Sequence, residues 1–147
     1  MSLNTLLGKI WFRWLLVALW MGLIFGFSSQ AHSGEMTEQY LHGWNILVRK
    51  AAHMTEFGVL FALTRFALAA SIPAADRLVT TLSVLICLIY AGSDEWHQSF
   101  VPGRSAQVSD VMVDMCGVVI ALLLFLLRGY LRGYLGGLKS FWSKTRS

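Results

Sequence analysis

The sequence predicts an all-α integral membrane protein, a four-helix bundle with short loops and a basic C-terminal tail. Of the 147 residues, 56% are hydrophobic and only 14% are charged, whereas soluble domains carry about 25% charged residues. Four segments approach the roughly 20 apolar residues that a transmembrane helix needs. The sequence has no pattern of alternating ten-residue segments that would indicate a membrane β-barrel.

The four apolar segments cover about residues 10–27, 46–72, 78–93 and 111–127. Arg13 interrupts the first and Asp114 the fourth. Backbone N–H and C=O groups must pair within their own segment in hydrocarbon, so each segment is expected to be a helix. We therefore predict one four-span domain over residues 1–128 and a basic amphipathic cytoplasmic tail over residues 129–147.

The N-terminal segment also has the features of a cleavable signal peptide. The basic residues Lys9 and Arg13 come before an apolar run over residues 14–27. Ser29-Gln30-Ala31, after this run, resembles a cleavage site. We expect a retained helix instead, because the later segments alone would leave an odd number of spans.

The distribution of basic residues predicts the orientation, because Lys and Arg are enriched on the cytoplasmic side. Only Arg49, Lys50 and Arg104 fall towards the other side. Both termini are therefore expected in the cytoplasm, and the loops over residues 28–45 and 94–109 outside. The pI of about 9.4 reflects the tail, which is expected to contact anionic lipid rather than nucleic acid. The nine basic residues on the cytoplasmic side are Lys9, Arg13, Arg65, Arg77, Arg128, Arg132, Lys139, Lys144 and Arg146.

The start of the second helix carries a polar stripe. Arg49, His53 and Glu56 are spaced i, i+4, i+7 and fall within about 60° of one another at 100° per residue. Ionisable residues in a membrane usually face the bundle interior or water and mark function. An internal salt bridge, for example between Glu56 and Arg49, is the structural alternative.

The end of the third helix places Asp94, Glu95, His97 and Gln98 at the membrane boundary. A solvated helix end explains any one of them, His97 above all. A site residue must turn inwards, and adjacent side chains cannot point the same way. Only one of the two carboxylates is therefore expected in the core of the site.

Pro102-Gly103 is a turn signal that places Arg104 at the mouth of the bundle. A guanidinium suits bidentate contact with phosphate or carboxylate. The fourth helix follows with Asp110, which suits a first helical turn, and Asp114 one turn deeper on the same face. Paired carboxylates at this spacing repel unless a cation, a proton or an arginine lies between them.

The first helix contributes two further features. Its exit, Ser28-Ser29-Gln30, is a polar patch at the level of the other outer residues, which predicts either binding of substrate oxygen atoms or simple helix termination. Gly22 and Gly26 form a small-xxx-small pair, which predicts a helix-packing face.

Each of the outer helix ends carries one motif. The four motifs are Ser28-Ser29-Gln30, Arg49-Lys50-x-x-His53-x-x-Glu56-Phe57, Asp94-Glu95-x-His97-Gln98-x-Phe100-x-Pro102-Gly103-Arg104 and Asp110-x-x-x-Asp114-x-x-Gly117. Together they resemble the VanZ-like membrane proteins, a family named for a factor linked to teicoplanin resistance. The resemblance covers about residues 10–127. Phe57 stands where tyrosine is frequent in the family, and Asp114 where asparagine is frequent. The resemblance implies a bacterial plasma-membrane protein of the cell envelope that affects glycopeptide susceptibility, and it supplies no reaction.

The first functional hypothesis is an enzyme acting on an anionic lipid, a phospholipid or a lipid-linked cell-wall precursor, at the outer leaflet. Acid–base or metal-assisted hydrolysis or transfer is the candidate reaction class. Asp110 and Asp114 would be supporting carboxylates. The candidate catalytic residues are His53, Glu56, Asp94 and Glu95. The candidate substrate-binding residues are Arg49, Lys50, Gln98, Arg104, Ser28, Ser29 and Gln30.

Two alternatives remain open at this point. A non-enzymatic lipid binder or carrier would use the same polar mouth to hold a lipid headgroup. A structural scaffold would use buried ion pairs to fix the register of its helices. A divalent cation as cofactor is also left open, since the His53-x-x-Glu56 spacing is similar to that of carboxylate-bridged helix bundles.

Overall fold

The computed structural model describes residues 5, 7–31, 44–104 and 107–144, with the side chains of residues 45 and 138–144 left aside. Its helices are α1 (Ile10–Ser28), α2 (Asn45–Ser71), α3 (Asp76–Gln98) and α4 (Val108–Lys144). All four are long and apolar enough to cross a membrane. The predicted all-α fold with four spans is confirmed.

α3 and α4 extend several residues further than the apolar segments that predicted them. α3 runs through Asp94, Glu95 and Gln98, because these polar side chains are buried within the bundle and need not end the helix. α4 continues without interruption past residue 128 to Lys144. The backbone therefore carries the fourth span directly into the basic tail.

The helices pack around α2, which contacts each of the other three. Within the described residues, α1 and α4 do not touch each other, so they lie on opposite sides of the bundle. The core between the helices is apolar, whereas Leu19, Ile89 and Leu124 are among the many large apolar side chains that point outwards. Such a surface suits lipid contact. The largest buried apolar side chains are Ile24, Phe57, Leu60, Phe61 and Val118.

The crossing of α2 and α4 depends on two glycines. A Cβ atom on Gly117 would clash with the backbone of Met54, and one on Gly58 would lie 3.2 Å from the carbonyl oxygen of Gly117. Helices without side chains at their crossing can bring their backbones close together, as is frequent in membranes. The close crossing of α2 and α4 places His53 of α2 beside Asp114 of α4.

Gly22 and Gly26 do not form a packing face within the chain, so that prediction is wrong for the described bundle. A Cβ atom added at either position meets no atom within 4 Å. α1 instead packs through larger side chains. Trp20 donates its indole N–H to the backbone oxygen of Glu56 at 2.9 Å, and the hydroxyl of Tyr90 donates to the backbone oxygen of Met21 at 2.6 Å.

The end of the bundle away from the polar stripe is held by two arginines. Arg65 of α2 pairs with Asp76 at the start of α3 and lies over the ring of Phe125 in α4 at 3.7 Å. Arg13 of α1 donates to the backbone oxygen of Phe66 at 3.0 Å. These contacts join all four helices at that end.

Candidate functional site

Two adjoining cavities open at the other end of the bundle, where α1 and α3 end and α2 and α4 begin; we call this the site end. The cavities have volumes of about 370 Å³ and about 230 Å³. Arg49, His53 and Arg104 line both cavities and form their shared boundary. The larger cavity also has Lys50, Gln98, Ser109 and Asp110 in its wall, and the smaller one has Ser28, Gln30 and Glu56.

The stripe on α2 is arranged as its spacing predicts. Arg49, His53 and Glu56 all line the smaller cavity, because residues at i, i+4 and i+7 share one helix face. Lys50, the next residue round the helix, lines only the larger cavity. α2 therefore supplies charged or titratable side chains to both cavities.

Arg104 reaches the cavities from a β-turn. The N–H of Arg104 donates to the carbonyl oxygen of Val101 at 3.1 Å, and Gly103 has φ of 77°. A proline followed by a glycine with positive φ is the pattern of a type II turn. The predicted turn at Pro102-Gly103 is confirmed, and it directs the next side chain back towards the bundle.

The guanidinium of Arg104 is held in place by two neutral acceptors. Nη1 donates to Oε1 of Gln98 at 3.1 Å, and Nη2 donates to the backbone oxygen of Phe27 at 3.1 Å. Its Nε atom is buried and has no hydrogen-bond partner among the described residues. One donor of this cation therefore stays unsatisfied.

A buried network behind Arg104 fixes its anchor. The hydroxyl of Ser28 donates to Oδ2 of Asp94 at 2.8 Å, and Nε2 of Gln98 donates to the same oxygen at 2.7 Å. Asp94 is 3% exposed and lines neither cavity. Asp94 therefore lies behind the cavity wall, and its predicted catalytic role stays a prediction.

The cations of the site have no acidic partner in the described part of the chain. Neither Arg49 nor Arg104 forms an ion pair within 4.0 Å, since the ion pairs there are His53 with Glu56, His53 with Asp114, and Arg65 with Asp76. Burial lowers the pKa of the Arg104 guanidinium from its ordinary value, and the positive charge of Arg49 lowers it further. Among the described residues, these two neighbouring positive charges face the cavities without an ion pair, although the carboxylates of Asp94, Glu95 and Glu56 act on Arg104 from beyond 4.0 Å.

His53 lies between two carboxylates. Its Nδ1 atom is 3.2 Å from Oδ1 of Asp114 and 4.0 Å from Oε2 of Glu56. Asp114 is 2% exposed, and its orientation towards the ring falls short of a hydrogen bond because both atoms are left without a partner. At 3.2 Å, a small rotation of either side chain completes the bond.

Asp94 and Glu95 are both buried, and neither lines a cavity, so the expectation that only one belongs to the core of the site stays a prediction. Glu95 is 7% exposed and accepts a hydrogen bond from the backbone N–H of Gln107 at 2.7 Å. Asp94 faces α1, whereas Glu95 faces the segment that leads into α4. Adjacent side chains can both be buried when a different neighbour covers each one.

Two further predicted residues, Ser29 and Asp110, differ in their relation to the cavities. Ser29 lies outside both cavities, where its hydroxyl is 3.0 Å from Nε2 of His97, whose ring stacks on Phe25. Asp110 lies in the first turn of α4, as expected, and lines the larger cavity. No group of three or more His, Cys, Asp or Glu side chains within the described residues could hold a metal ion.

Sequence reasoning missed two contributors. The backbone carbonyl of Phe27, which anchors Arg104, leaves no signal in the sequence, because any residue supplies it. Gly58, which allows α2 to approach α4, was hidden within an apolar run. Together with Ala62, four residues later, it forms a small-xxx-small pair, and that spacing is the signal that could have found it.

Four apolar helices with a cation-rich cavity at one end define a multi-pass membrane protein with a polar site inside its bundle. The chain belongs to the VanZ/LLP1 family, whose model matches residues 12–129. The matched range includes the part of each helix that lies at the site end. It confirms the family resemblance that the four motifs predicted. No curated protein and no solved structure matches the chain.

Proposed function

We propose that the chain binds the phosphate group of an anionic membrane lipid, a phospholipid or a lipid-linked cell-wall precursor, at the outer leaflet. The observation that carries the proposal is the pair Arg49 and Arg104. Both line the boundary of two cavities and neither has an acidic partner in the described chain. A guanidinium is the side chain best suited to bidentate contact with phosphate.

The surroundings of the cavities favour a lipid over a water-soluble anion. The larger cavity is lined on one side by Ile46 and Val113, and Ile46 is 63% exposed on the outside of the bundle. An apolar chain attached to a bound phosphate can therefore leave the larger cavity beside Ile46 and enter hydrocarbon. The chain stays in hydrocarbon, so binding of the headgroup does not require transfer of its methylene groups into water.

The orientation proposed for the chain follows from its basic residues. Both termini lie in the cytoplasm of a bacterial cell, and the site end faces outwards across the plasma membrane. The unpaired arginines then lie near the level of the outer phosphate groups. A lipid of the outer leaflet can enter the cavities without crossing the membrane.

The direct test is lipid binding by the purified full-length protein in detergent micelles, measured by competition with a fluorescent phospholipid. Arg49→Gln and Arg104→Gln should each weaken binding by about tenfold or more, because a hydrogen bond to a charged group contributes about 1.5–3 kcal/mol. Arg77→Gln is the matched control, since Arg77 is an exposed arginine at the opposite end of the bundle. It should bind as the wild type does.

Equal binding by all three variants would contradict the proposal. The scaffold alternative would then gain support, provided that exchanging the charges of Arg49 and Glu56 leaves the protein folded and active in the cell. A binding site does not tolerate that exchange, because the phosphate would meet a carboxylate at the boundary of the cavities.

Acid–base catalysis on the bound lipid is the second candidate function, and the observation that favours it is the approach of Asp114 to His53. A carboxylate beside an imidazole orients the ring and stabilises its protonated form. His53 lines both cavities, so it can exchange a proton with a water molecule or a lipid oxygen. Hydrolysis or transfer at a phosphate ester would use this step.

Catalysis and simple carriage of lipid are distinguished by one variant. His53→Ala should abolish lipid turnover, followed by mass spectrometry of the lipid products, and should leave binding close to that of the wild type because the arginines remain. A wild-type protein that binds lipid and leaves every lipid unchanged, with and without added divalent cations, supports the carrier.

We also propose that the protein affects glycopeptide susceptibility, as its family resemblance implies. A lipid-binding site at the outer leaflet could change which envelope lipids the antibiotic meets. Expression of the wild-type chain should raise the teicoplanin concentration that inhibits growth, and Arg49→Gln should remove the increase at equal protein abundance. An unchanged inhibitory concentration with the wild type would contradict this cellular effect.

A further inference from the structure

We infer that the lipid bound by this site carries a free hydroxyl group one glycerol unit below its phosphate, as a single-chain lysophospholipid does, and that Glu56 accepts the hydrogen bond from this hydroxyl. The inference rests on the proposed phosphate site and names the class of lipid that fits it. It concerns the smaller cavity, where Glu56 faces the same space as the two arginines.

The spacing along α2 requires a ligand with two separate polar groups. Arg49 and Glu56 lie on one helix face seven residues apart, which is about 10 Å along the axis at 1.5 Å per residue. The arginine is at the mouth of the bundle and the carboxylate lies deeper between the spans. A phosphate bound by Arg49 and Arg104 therefore leaves Glu56 facing the next part of the lipid.

Glu56 is available to a ligand. Its side chain is 15% exposed, and its nearest basic atom is Nδ1 of His53 at 4.0 Å. Its carboxylate makes no hydrogen bond to any residue that the structure describes, whereas Asp94 and Glu95 both accept short bonds. A carboxylate accepts hydrogen bonds and does not donate them. The ligand atom that reaches Glu56 must consequently be a donor.

The orientation of a lipid then selects among phospholipids. The phosphate lies towards water and the chains lie towards hydrocarbon, so the glycerol backbone occupies the level of His53 and Glu56. In a diacyl lipid this level holds two ester groups, which only accept hydrogen bonds and would oppose the carboxylate. Removal of one acyl chain replaces an ester by a hydroxyl, which supplies the donor that Glu56 lacks.

A hydroxyl could also come from a headgroup, as in a glycerol attached beyond the phosphate. That group lies on the water side of the phosphate, and therefore above Arg49 instead of below it. Two lipids that share a headgroup and a chain, and differ only in the hydroxyl of the glycerol backbone, separate these two sources.

The test measures binding of the full-length protein in detergent micelles to such a pair. The probes are a single-chain 1-acyl lysophosphatidylglycerol and its 2-deoxy analogue. The wild type should bind the hydroxylated lipid about tenfold to a hundredfold more tightly, the ratio expected of a hydrogen bond to a charged group. Glu56→Ala should reduce this ratio to nearly one, and Asp76→Asn, an exposed carboxylate at the other end of the bundle, should retain it.

The possible outcomes distinguish failure of the Glu56–hydroxyl contact from failure of the phosphate site. Equal affinity of the wild type for the two lipids overturns the inference without any variant, as does a ratio that survives Glu56→Ala. Weak binding of both lipids that Arg49→Gln leaves unchanged overturns the phosphate site itself.

Discussion

Gln98 presents its carbonyl oxygen to Arg104 because its amide nitrogen is already bound to Asp94. The N–H of Gln98 donates to the Asp94 carboxylate at 2.7 Å, and its oxygen accepts from Arg104 at 3.1 Å. The negative charge of Asp94 thus orients the amide without pairing directly with the arginine. Arg104 is held firmly and keeps a positive charge that a ligand can use.

Gln98→Glu tests this arrangement. The new carboxylate would pair directly with Arg104 and compete with the lipid phosphate, so we expect lipid affinity to fall by about tenfold although Arg104 is still present. Ser99→Ala, at an exposed neighbouring position, should leave the affinity unchanged. Unaltered binding by Gln98→Glu would show that Arg104 does not contact the phosphate.

Gly117→Ala should destabilise the bundle. The added methyl group meets the backbone of Met54, which cannot move aside as a flexible side chain can, and overpacking of this kind costs about 1–3 kcal/mol. The midpoint of thermal unfolding in detergent measures the effect. Gly22→Ala, where a Cβ atom meets open space, should match the wild type, and equal midpoints for both variants would argue against a close crossing of α2 and α4.

Asp114→Asn separates binding from chemistry. The amide has nearly the same size as the carboxylate but no charge to stabilise a protonated His53. If His53 transfers protons, we expect turnover of lipid to fall at least tenfold, since general acid–base catalysis contributes about 10²–10⁴. Lipid affinity should change by less than about twofold. A parallel loss of both would indicate that Asp114 acts on binding or on folding.

The proposed orientation predicts which loops are open to reagents outside the cell. In a background with Cys87→Ala and Cys116→Ala, a cysteine introduced by Ser99→Cys should react with a membrane-impermeant thiol reagent on intact cells. A cysteine introduced by Ala75→Cys should react only after the membrane is permeabilised. Both positions are exposed in the bundle, so a difference in labelling reports the side of the membrane. The reverse pattern would invert the proposed topology.

The sequence was informative where a single physical constraint dominates. Apolar length alone predicts four spans, and the period of the helix alone predicts that Arg49 and Glu56 share a face. Pro102-Gly103 predicts its turn because few other pairs adopt that geometry. Each of these features depends on residues that are close together in the chain.

The parts that could not be predicted depend on partners distant in the chain. Whether Asp94 lines a cavity or supports its wall is decided by Ser28 on another helix. The burial of Glu95 is decided by a backbone N–H twelve residues away. Hydrogen bonds of this kind require the relative positions of the helices, which periodicity within one helix does not contain.

The close crossing at Gly117 has a consequence for how the site responds to its surroundings. The fit of two backbones at this crossing brings His53 within 3.2 Å of Asp114, so packing contributes to their proximity in addition to any attraction between the two side chains. Gain or loss of a proton at either residue would change the chemistry of the pair without moving the helices. The bundle thereby separates the shape of its site from the charge state of that site.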